Sequence, residues 1–187
     1  TGWHPHSGIA TVTVVLDGAA RYAETTGATG VLPAGSVEWM RAGNGVWRTG
    51  TMVPGVIRGF QLWVALPPEQ ENAVSESRYV QPEQVPVAGP ARVILGSHGG
   101  GASSIAAPPM TYLSVSLGDG ERWTYTPPHG HDVAWLAIMN GQLQTPELIT
   151  AGELAVFESS TAPIEMVGKG ATRFVLGFAP AHPHPLV

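Results

Sequence analysis

The sequence predicts an all-β protein made of two small sandwich or barrel domains. Glycine and proline are frequent, with 24 and 17 residues among 187, which is typical of short strands joined by tight turns. Between these turn residues, β-branched runs and alternating apolar residues recur along the chain. With 43% hydrophobic and 12% charged residues, the chain can bury a substantial core.

The strands of the first half are predicted from short apolar runs. Residues 9–16 form a β-branched run, and Asp17-Gly18 after it predicts a hairpin to residues 20–22. Residues 31–40 predict two strands around a Pro/Gly turn, and residues 61–66 predict another strand. This spacing is typical of a small sandwich or barrel.

A polar, proline-rich stretch separates the two halves. Residues 67–90 have the composition of a connector, and we expect them to hold one short helix at most. The predicted domains are therefore residues 1–80, and residues 81–187 with the remainder of the connector.

The second half repeats the strand pattern. Residues 112–117 alternate as in a half-buried antiparallel strand. Residues 133–139 predict a strand, with Asn140-Gly141 as a hairpin turn after it, and Ala151-Gly152 predicts a second turn. A last strand is predicted at residues 174–178.

Composition excludes several classes of function. The net charge is −5, and Lys169 is the only lysine beside eight arginines, so no basic run could bind nucleic acid. The absence of cysteine excludes disulfides and thiolate chemistry; a reducing cytoplasm is the simplest expectation. No apolar run is long enough for a membrane span. Because the start at Thr1 resembles neither a signal peptide nor a translation start, we expect an N-terminus trimmed from something longer.

Histidine is the most informative residue type. Six of the seven histidines form three His-x-His pairs, in which a strand would direct both imidazoles to one side, as metal binding requires. The pairs are His4/His6, His129/His131 and His182/His184.

The two halves share an order of features. In each, a His-x-His pair precedes a strand and a tight turn, and a further turn follows at residues 33–36 in the first half and 150–153 in the second. This internal repeat of roughly a hundred residues is similar to the start of a cupin domain. Two such domains in tandem form a bicupin.

The first half also resembles the pirin family. Its stretches HPHSGIATVTVVLDG, TTGATGVLPAGSVEWMRAGNGV and QLWVALP are similar to the HPHRG-type, GDVQWM-type and AGRGI-type stretches of pirins, in that order and spacing. The second half is similar to the pirin C-terminal cupin, more loosely. The resemblance implies two jelly-roll cupin domains, and it implies that pirin segments before His4 and beyond Val187 are absent here.

The resemblance also implies a metal site, and this chain departs from it. Pirins hold iron through two histidines of HPH, a third histidine and a glutamate. His4 and His6 match the first pair, whereas Arg48 and Gly50 replace the other two ligands. A guanidinium cannot ligate a cation, because it is always protonated and has only donors. We therefore expect no tightly bound metal, and at most a weak or vestigial iron, nickel or zinc site at His4 and His6.

Glu38 leaves three interpretations open. It stands where pirins more often have glutamine. Its side chain could be exposed on a strand, could ligate a metal with His4 and His6, or could form an ion pair with Arg48.

The other two histidine pairs are expected to have no metal role. His129 and His131 match the first half of a cupin site, but after Gly152 the histidine of the second cupin motif is missing, so a turn or surface role is favoured. His182 and His184 lie in a proline-rich tail that we expect to be exposed or docked. We expect the tryptophans to pack in the core; these are Trp3, Trp39, Trp47, Trp63 and Trp135. For Trp3 and Trp47, the alternative is that the side chain forms the wall of a pocket.

Two functions follow from these observations. The loss of ligands favours a metal-poor bicupin that binds a small aromatic or anionic ligand near His4, His6, Glu38 and Arg48, or a protein partner, as the resemblance to animal pirin implies. The alternative, which the resemblance to quercetinases implies, is a metal-dependent dioxygenase that cleaves flavonols with His4 and His6, either with or without Glu38 as a further ligand. Neither nucleic acid nor a membrane is expected as a direct partner.

Overall fold

A computed structural model, which describes residues 2–185, confirms the all-β class. The chain divides into two compact units, one formed by residues 2–85 with 182–185 and the other by residues 86–181. The division falls five residues later than the one predicted after residue 80, and the tail belongs to the first unit. No helix within residues 2–185 is long and apolar enough to cross a membrane.

The first unit consists of two four-stranded antiparallel sheets. Their strand orders are β1-β6-β3-β4 and β7-β2-β5-β8. The strands are β1 (His4–His6), β2 (Ile9–Asp17), β3 (Ala19–Glu24), β4 (Thr29–Pro33), β5 (Val37–Arg41), β6 (Val46–Met52), β7 (Arg58–Ala65) and β8 (Glu76–Val80), with a short α-helix, α1 (Pro68–Glu71), and a 3-10 helix (Pro82–Gln84).

The predicted hairpin at Asp17-Gly18 is wrong. β2 pairs with β5 and β7, whereas β3 pairs with β4 and β6, so the chain passes from one sheet to the other at Gly18. Gly18 has a φ of +76°, and a Cβ there would collide with the carbonyl oxygen of Val56. An Asp-Gly pair indicates a tight turn, but it does not specify which strands pair.

Two strands lie inside the predicted connector, residues 67–90. One is the two-residue strand β9 (Val87–Ala88), and the other is β8, which pairs along its whole length with β5. Its alternation of charged Glu76 and Arg78 with Ser77 and Tyr79 is the pattern of a strand with two different faces. Proline-rich flanks concealed it in the sequence, and its inner residues prove to belong to the candidate site.

The second unit is built on one eight-stranded antiparallel sheet and a small hairpin, β11-β12. The main path runs β16-β15-β18-β13-β10-β9, with β14 beside β18 and β17 beside β15. The strands are β9 (Val87–Ala88), β10 (Ala91–Leu95), β11 (Ser97–His98), β12 (Gly101–Ala102), β13 (Thr111–Leu117), β14 (Arg122–Tyr125), β15 (Val133–Thr145), β16 (Glu147–Thr150), β17 (Leu154–Val156) and β18 (Ile164–Ala179).

The predicted turn at Asn140-Gly141 is also wrong, because β15 continues through it. The pairing with β18 shifts register on both sides of Asn140, which marks a bulge. The Asn140 side chain donates to the carbonyl of Ala171 over 3.0 Å and accepts from Arg173 Nε over 2.7 Å. The turn predicted at Ala151-Gly152 is confirmed between β16 and β17.

The tryptophans divide between core and surface. Trp39 is 2% exposed, as expected, and Trp135 is half-buried. The expectation of core packing is wrong for Trp3, Trp47 and Trp63, which are 55%, 51% and 63% exposed. Strand periodicity shows that a side chain shares a face with its neighbours, but not whether another layer covers that face.

The turn between β5 and β6 should be sensitive to a single methyl group. We expect Gly43→Ala to destabilise the protein by at least about 1 kcal/mol more than Gly8→Ala. Both glycines have left-handed φ values, +52° and +72°, but only at Gly43 would a Cβ collide with backbone, at the carbonyl of Ala73. Urea unfolding of both variants measures the difference, and equal losses would contradict it.

Candidate functional site

The pairing of β1 with β6 places the first histidine pair beside Arg48. His4 lies opposite Arg48 and His6 opposite Val46, while Glu24 of β3 lies opposite Arg48 on its other side. Directly opposed residues project to the same face of a sheet. Val46 is only 1% exposed, so this face is the interior of the first unit.

Glu38 reaches the same interior from the other sheet. It lies on β5 opposite Tyr79 of β8, and it is 1% exposed. Arg48, itself 9% exposed, places its Nη2 atom 2.8 Å from each carboxylate oxygen of Glu38. Of the three interpretations of Glu38, the structure shows the ion pair with Arg48.

Sequence reasoning missed a second buried carboxylate, Glu24. This side chain is 5% exposed and accepts hydrogen bonds from Thr26 Oγ1 over 2.9 Å, from Ser77 Oγ over 2.8 Å and from Tyr79. Three hydroxyl donors therefore satisfy its charge. The spacing of Tyr22 and Glu24 on one strand could have indicated a shared face, but Ser77 and Tyr79 come from the strand hidden in the connector.

Two tyrosines close the interior beside these carboxylates. The rings of Tyr22 and Tyr79 stack across the two sheets with 3.7 Å between centroids and 8° between planes. Burial first, and then the charges of Glu24 and Glu38, raise the pKa of Tyr22. Burial and the same carboxylates, in the order Glu38 then Glu24, raise the pKa of Tyr79 far above its usual range. Both phenols stay protonated at neutral pH.

The two histidines have different surroundings. His4 Nδ1 is held 2.8 Å from the carbonyl oxygen of Gly2. His6 contacts Trp63 edge-on, with ring centroids 5.7 Å apart. Burial lowers the pKa of His6, and electrostatic interactions with His4 and Arg48 lower it further, so His6 is neutral at neutral pH.

Two side-chain atoms of the four predicted site residues, His4, His6, Glu38 and Arg48, are buried with no hydrogen-bond partner within the described part of the chain. They are His6 Nε2 and Arg48 Nη1. A buried N–H group without an acceptor costs about 1–3 kcal/mol, and more when it is charged. These two atoms are therefore available to form hydrogen bonds with a ligand.

The residues present do not fit the iron site that the pirin resemblance implies. Arg48 occupies the position of the third histidine, and its cationic head is bonded to Glu38, the carboxylate that the sequence offered as compensation for Gly50. Within residues 2–185, no group of three or more histidine, aspartate or glutamate side chains is arranged to hold a metal ion. The predicted absence of tightly bound metal stays a prediction.

The other histidines lie apart from this site. His129 is exposed in a turn and His131 is half-buried just after it, as the sequence suggested. His182 and His184 are exposed, and His182 lines a cavity of about 440 Å³ with Glu71 and Asn72. The four predicted site residues, His4, His6, Glu38 and Arg48, do not line that cavity.

Comparison with known proteins identifies the class. A crystal structure described as quercetin 2,3-dioxygenase from Acinetobacter baumannii matches all of this chain and 70% of that one, with a TM-score of 0.93 at 22% identity. The Escherichia coli pirin YhhW in complex with nickel(II) matches 96% of this chain and 76% of that one, with a TM-score of 0.78 at 18% identity. At such identities the likeness shows the fold, which is a bicupin.

Sequence comparison identifies the family. The Pirin family model matches residues 1–64. A Pseudomonas aeruginosa protein named "Putative quercetin 2,3-dioxygenase PA3240" is 35% identical over 201 residues, which cover 98% of this chain and 70% of that protein. The chain belongs to the pirin family.

Loss of one partner of the buried ion pair should be costly. We expect Arg48→Met to lower the free energy of unfolding by about 3–5 kcal/mol, because Glu38 is left buried and unpaired, and we expect Arg48→Met with Glu38→Leu to recover much of that loss. Arg78, which is 62% exposed beside Glu76, provides the control: Arg78→Met should cost less than about 1 kcal/mol. Urea titration distinguishes these outcomes, and equal costs for the two single variants would contradict the role of the pair.

Ionisation of Tyr79, which is bonded to Glu24, should lower the free energy of unfolding at alkaline pH. A pKa raised by folding gives stability that is complete below the unfolded tyrosine value of about 10 and is lost as pH rises above it, at up to about 1.4 kcal/mol per pH unit. In Tyr79→Phe we expect a lower free energy of unfolding at neutral pH, because the bond to Glu24 is lost, and a shallower alkaline decline. Urea unfolding between about pH 9 and 11 tests this; an unchanged slope would contradict it.

Proposed function

We propose that this pirin-family bicupin works by binding a small organic ligand, in a regulatory role, and not by metal-dependent oxygenation. The observation that supports this is the position of Arg48 Nη2, 2.8 Å from both oxygens of Glu38. The cation in the interior of the first unit is thus a side chain. A divalent metal would have to displace it or share the site with a permanent positive charge.

The charge distribution supports the same proposal. Both buried carboxylates already have donors: Glu38 has Arg48, and Glu24 has three hydroxyl groups. Neither is left to offset the charge of a divalent ion. His4 and His6 alone would supply two neutral imidazoles, and such sites in proteins usually need at least one further ligand.

Because one relative is named "Putative quercetin 2,3-dioxygenase PA3240", quercetin cleavage is the competing activity that must be tested. We expect untagged protein to carry far less than one equivalent of iron, nickel or zinc by elemental analysis. We expect no consumption of quercetin when iron, nickel, cobalt or manganese is added. In the double variant Arg48→His with Gly50→Glu, which restores the two pirin ligands, we expect metal uptake of up to one equivalent.

Near-stoichiometric metal in the wild-type protein, with quercetin turnover that His6→Ala abolishes, would overturn the proposal. A circular dichroism spectrum and a urea midpoint for each variant ensure that failure to fold is not mistaken for loss of metal.

A further inference from the structure

We infer that the ligand of the first unit is a small aromatic carboxylate, whose two oxygens are bound by Arg48 Nη1 and His6 Nε2 and whose ring lies against Trp63. This inference rests on the proposed function and names the chemical class of its ligand. It depends on three independent features: free donors, local charge and an exposed indole.

The free donors are the first feature. A guanidinium has five N–H groups, and the contacts to Glu38 are made by Nη2, so Nη1 is left buried without an acceptor among residues 2–185. The Arg48 side chain as a whole is not completely buried, because 11% of its surface is exposed. A cationic N–H in this position favours an anionic oxygen over a neutral one.

His6 supplies a second donor on the same face. It lies two residues along β1 from His4, which is directly opposite Arg48, and diagonal neighbours of this kind are within reach of a long side chain. With the proton of the neutral ring on Nε2, His6 donates to the second oxygen of a carboxylate. Two donors on two side chains match the two oxygens of that group.

The local charge is the second feature. Arg48 is the permanent cation that acts on His6, while the carboxylates of Glu24 and Glu38 are occupied by their own donors. A carboxylate that enters beside His6 therefore meets the free side of the Arg48 guanidinium, with both buried carboxylates already bonded to other partners.

The exposed indole is the third feature. Trp63 is 63% exposed although its ring contacts His6. Its Nε1 donates to Gln61 Oε1 over 3.1 Å, and Gln61 Nε2 donates in turn to Thr13 over 3.1 Å. The indole is thus fixed in orientation while much of its surface is uncovered, and it offers a flat apolar wall for an aromatic ring.

Benzoate is the test probe, with benzamide as its uncharged counterpart of the same shape. Isothermal titration of the wild-type protein should show one benzoate site in the millimolar range and at least tenfold weaker binding of benzamide. His6→Phe keeps an aromatic ring but removes the donor, and it should weaken benzoate about tenfold. Trp63→Leu removes the wall and should also weaken benzoate, with little risk to folding because the residue is exposed.

Trp47→Leu is the matched control. Trp47 is 51% exposed and lies between Val46 and Arg48 in β6, so it projects from the opposite face of the sheet. Benzoate affinity in this variant should be unchanged.

Equal affinity for benzoate and benzamide, no binding of either, or unchanged affinity in both His6→Phe and Trp63→Leu would overturn the inference. The absence of binding would mean that the two free donors serve only a bridging water. Failure of the inference is separable from failure of the proposed function: metal-poor protein that ignores both benzoate and quercetin rejects the carboxylate alone, whereas metal-loaded protein that consumes quercetin rejects both.

Discussion

The buried ion pair between Arg48 and Glu38 is the interaction on which the first unit depends. It joins β6 of one sheet to β5 of the other, with Arg48 Nη2 2.8 Å from both carboxylate oxygens. Charges removed from water are costly unless they meet a partner and further hydrogen bonds, so burial of Arg48 requires that Glu38 of the other sheet faces it. The Tyr22–Tyr79 stack spans the same sheets beside it.

The chemistry of the site follows from how the interior charges are shared. Glu38 is neutralised by Arg48, while Glu24 accepts hydrogen bonds from three hydroxyl donors. What remains is a neutral His6 near the Arg48 guanidinium, which has one nitrogen without a hydrogen-bond acceptor among residues 2–185. In the pirin pattern that the sequence resembles, a metal ion would organise this space. Here the cation is covalently part of the chain, and its free N–H groups favour an anion.

The sequence could predict the fold class and half of the candidate site. Strand runs and Pro/Gly turns indicated an all-β chain, and the His-Pro-His stretch with its altered partners indicated that Arg48 and Gly50 replace ligands. It could not identify Glu24, because the donors Ser77 and Tyr79 lie on β8, whose pattern is masked by proline-rich flanks. The hairpin turns predicted at Asp17-Gly18 and Asn140-Gly141 were wrong. Glycine indicates a local backbone conformation that occurs equally in a crossing between sheets, in a bulge and in a hairpin.

The sequence by itself determined the residue types available: no cysteine, one arginine where a histidine would ligate, and a strand periodicity of two that directs His4 and His6 to one side. These properties depend on composition and on local spacing. Tertiary structure alone decided that Glu38 meets Arg48 instead of solvent or a metal, that Glu24 joins them, and that Trp63 is exposed beside His6. Each of these depends on which strands pair and which sheet faces another, and such contacts link residues far apart in the chain.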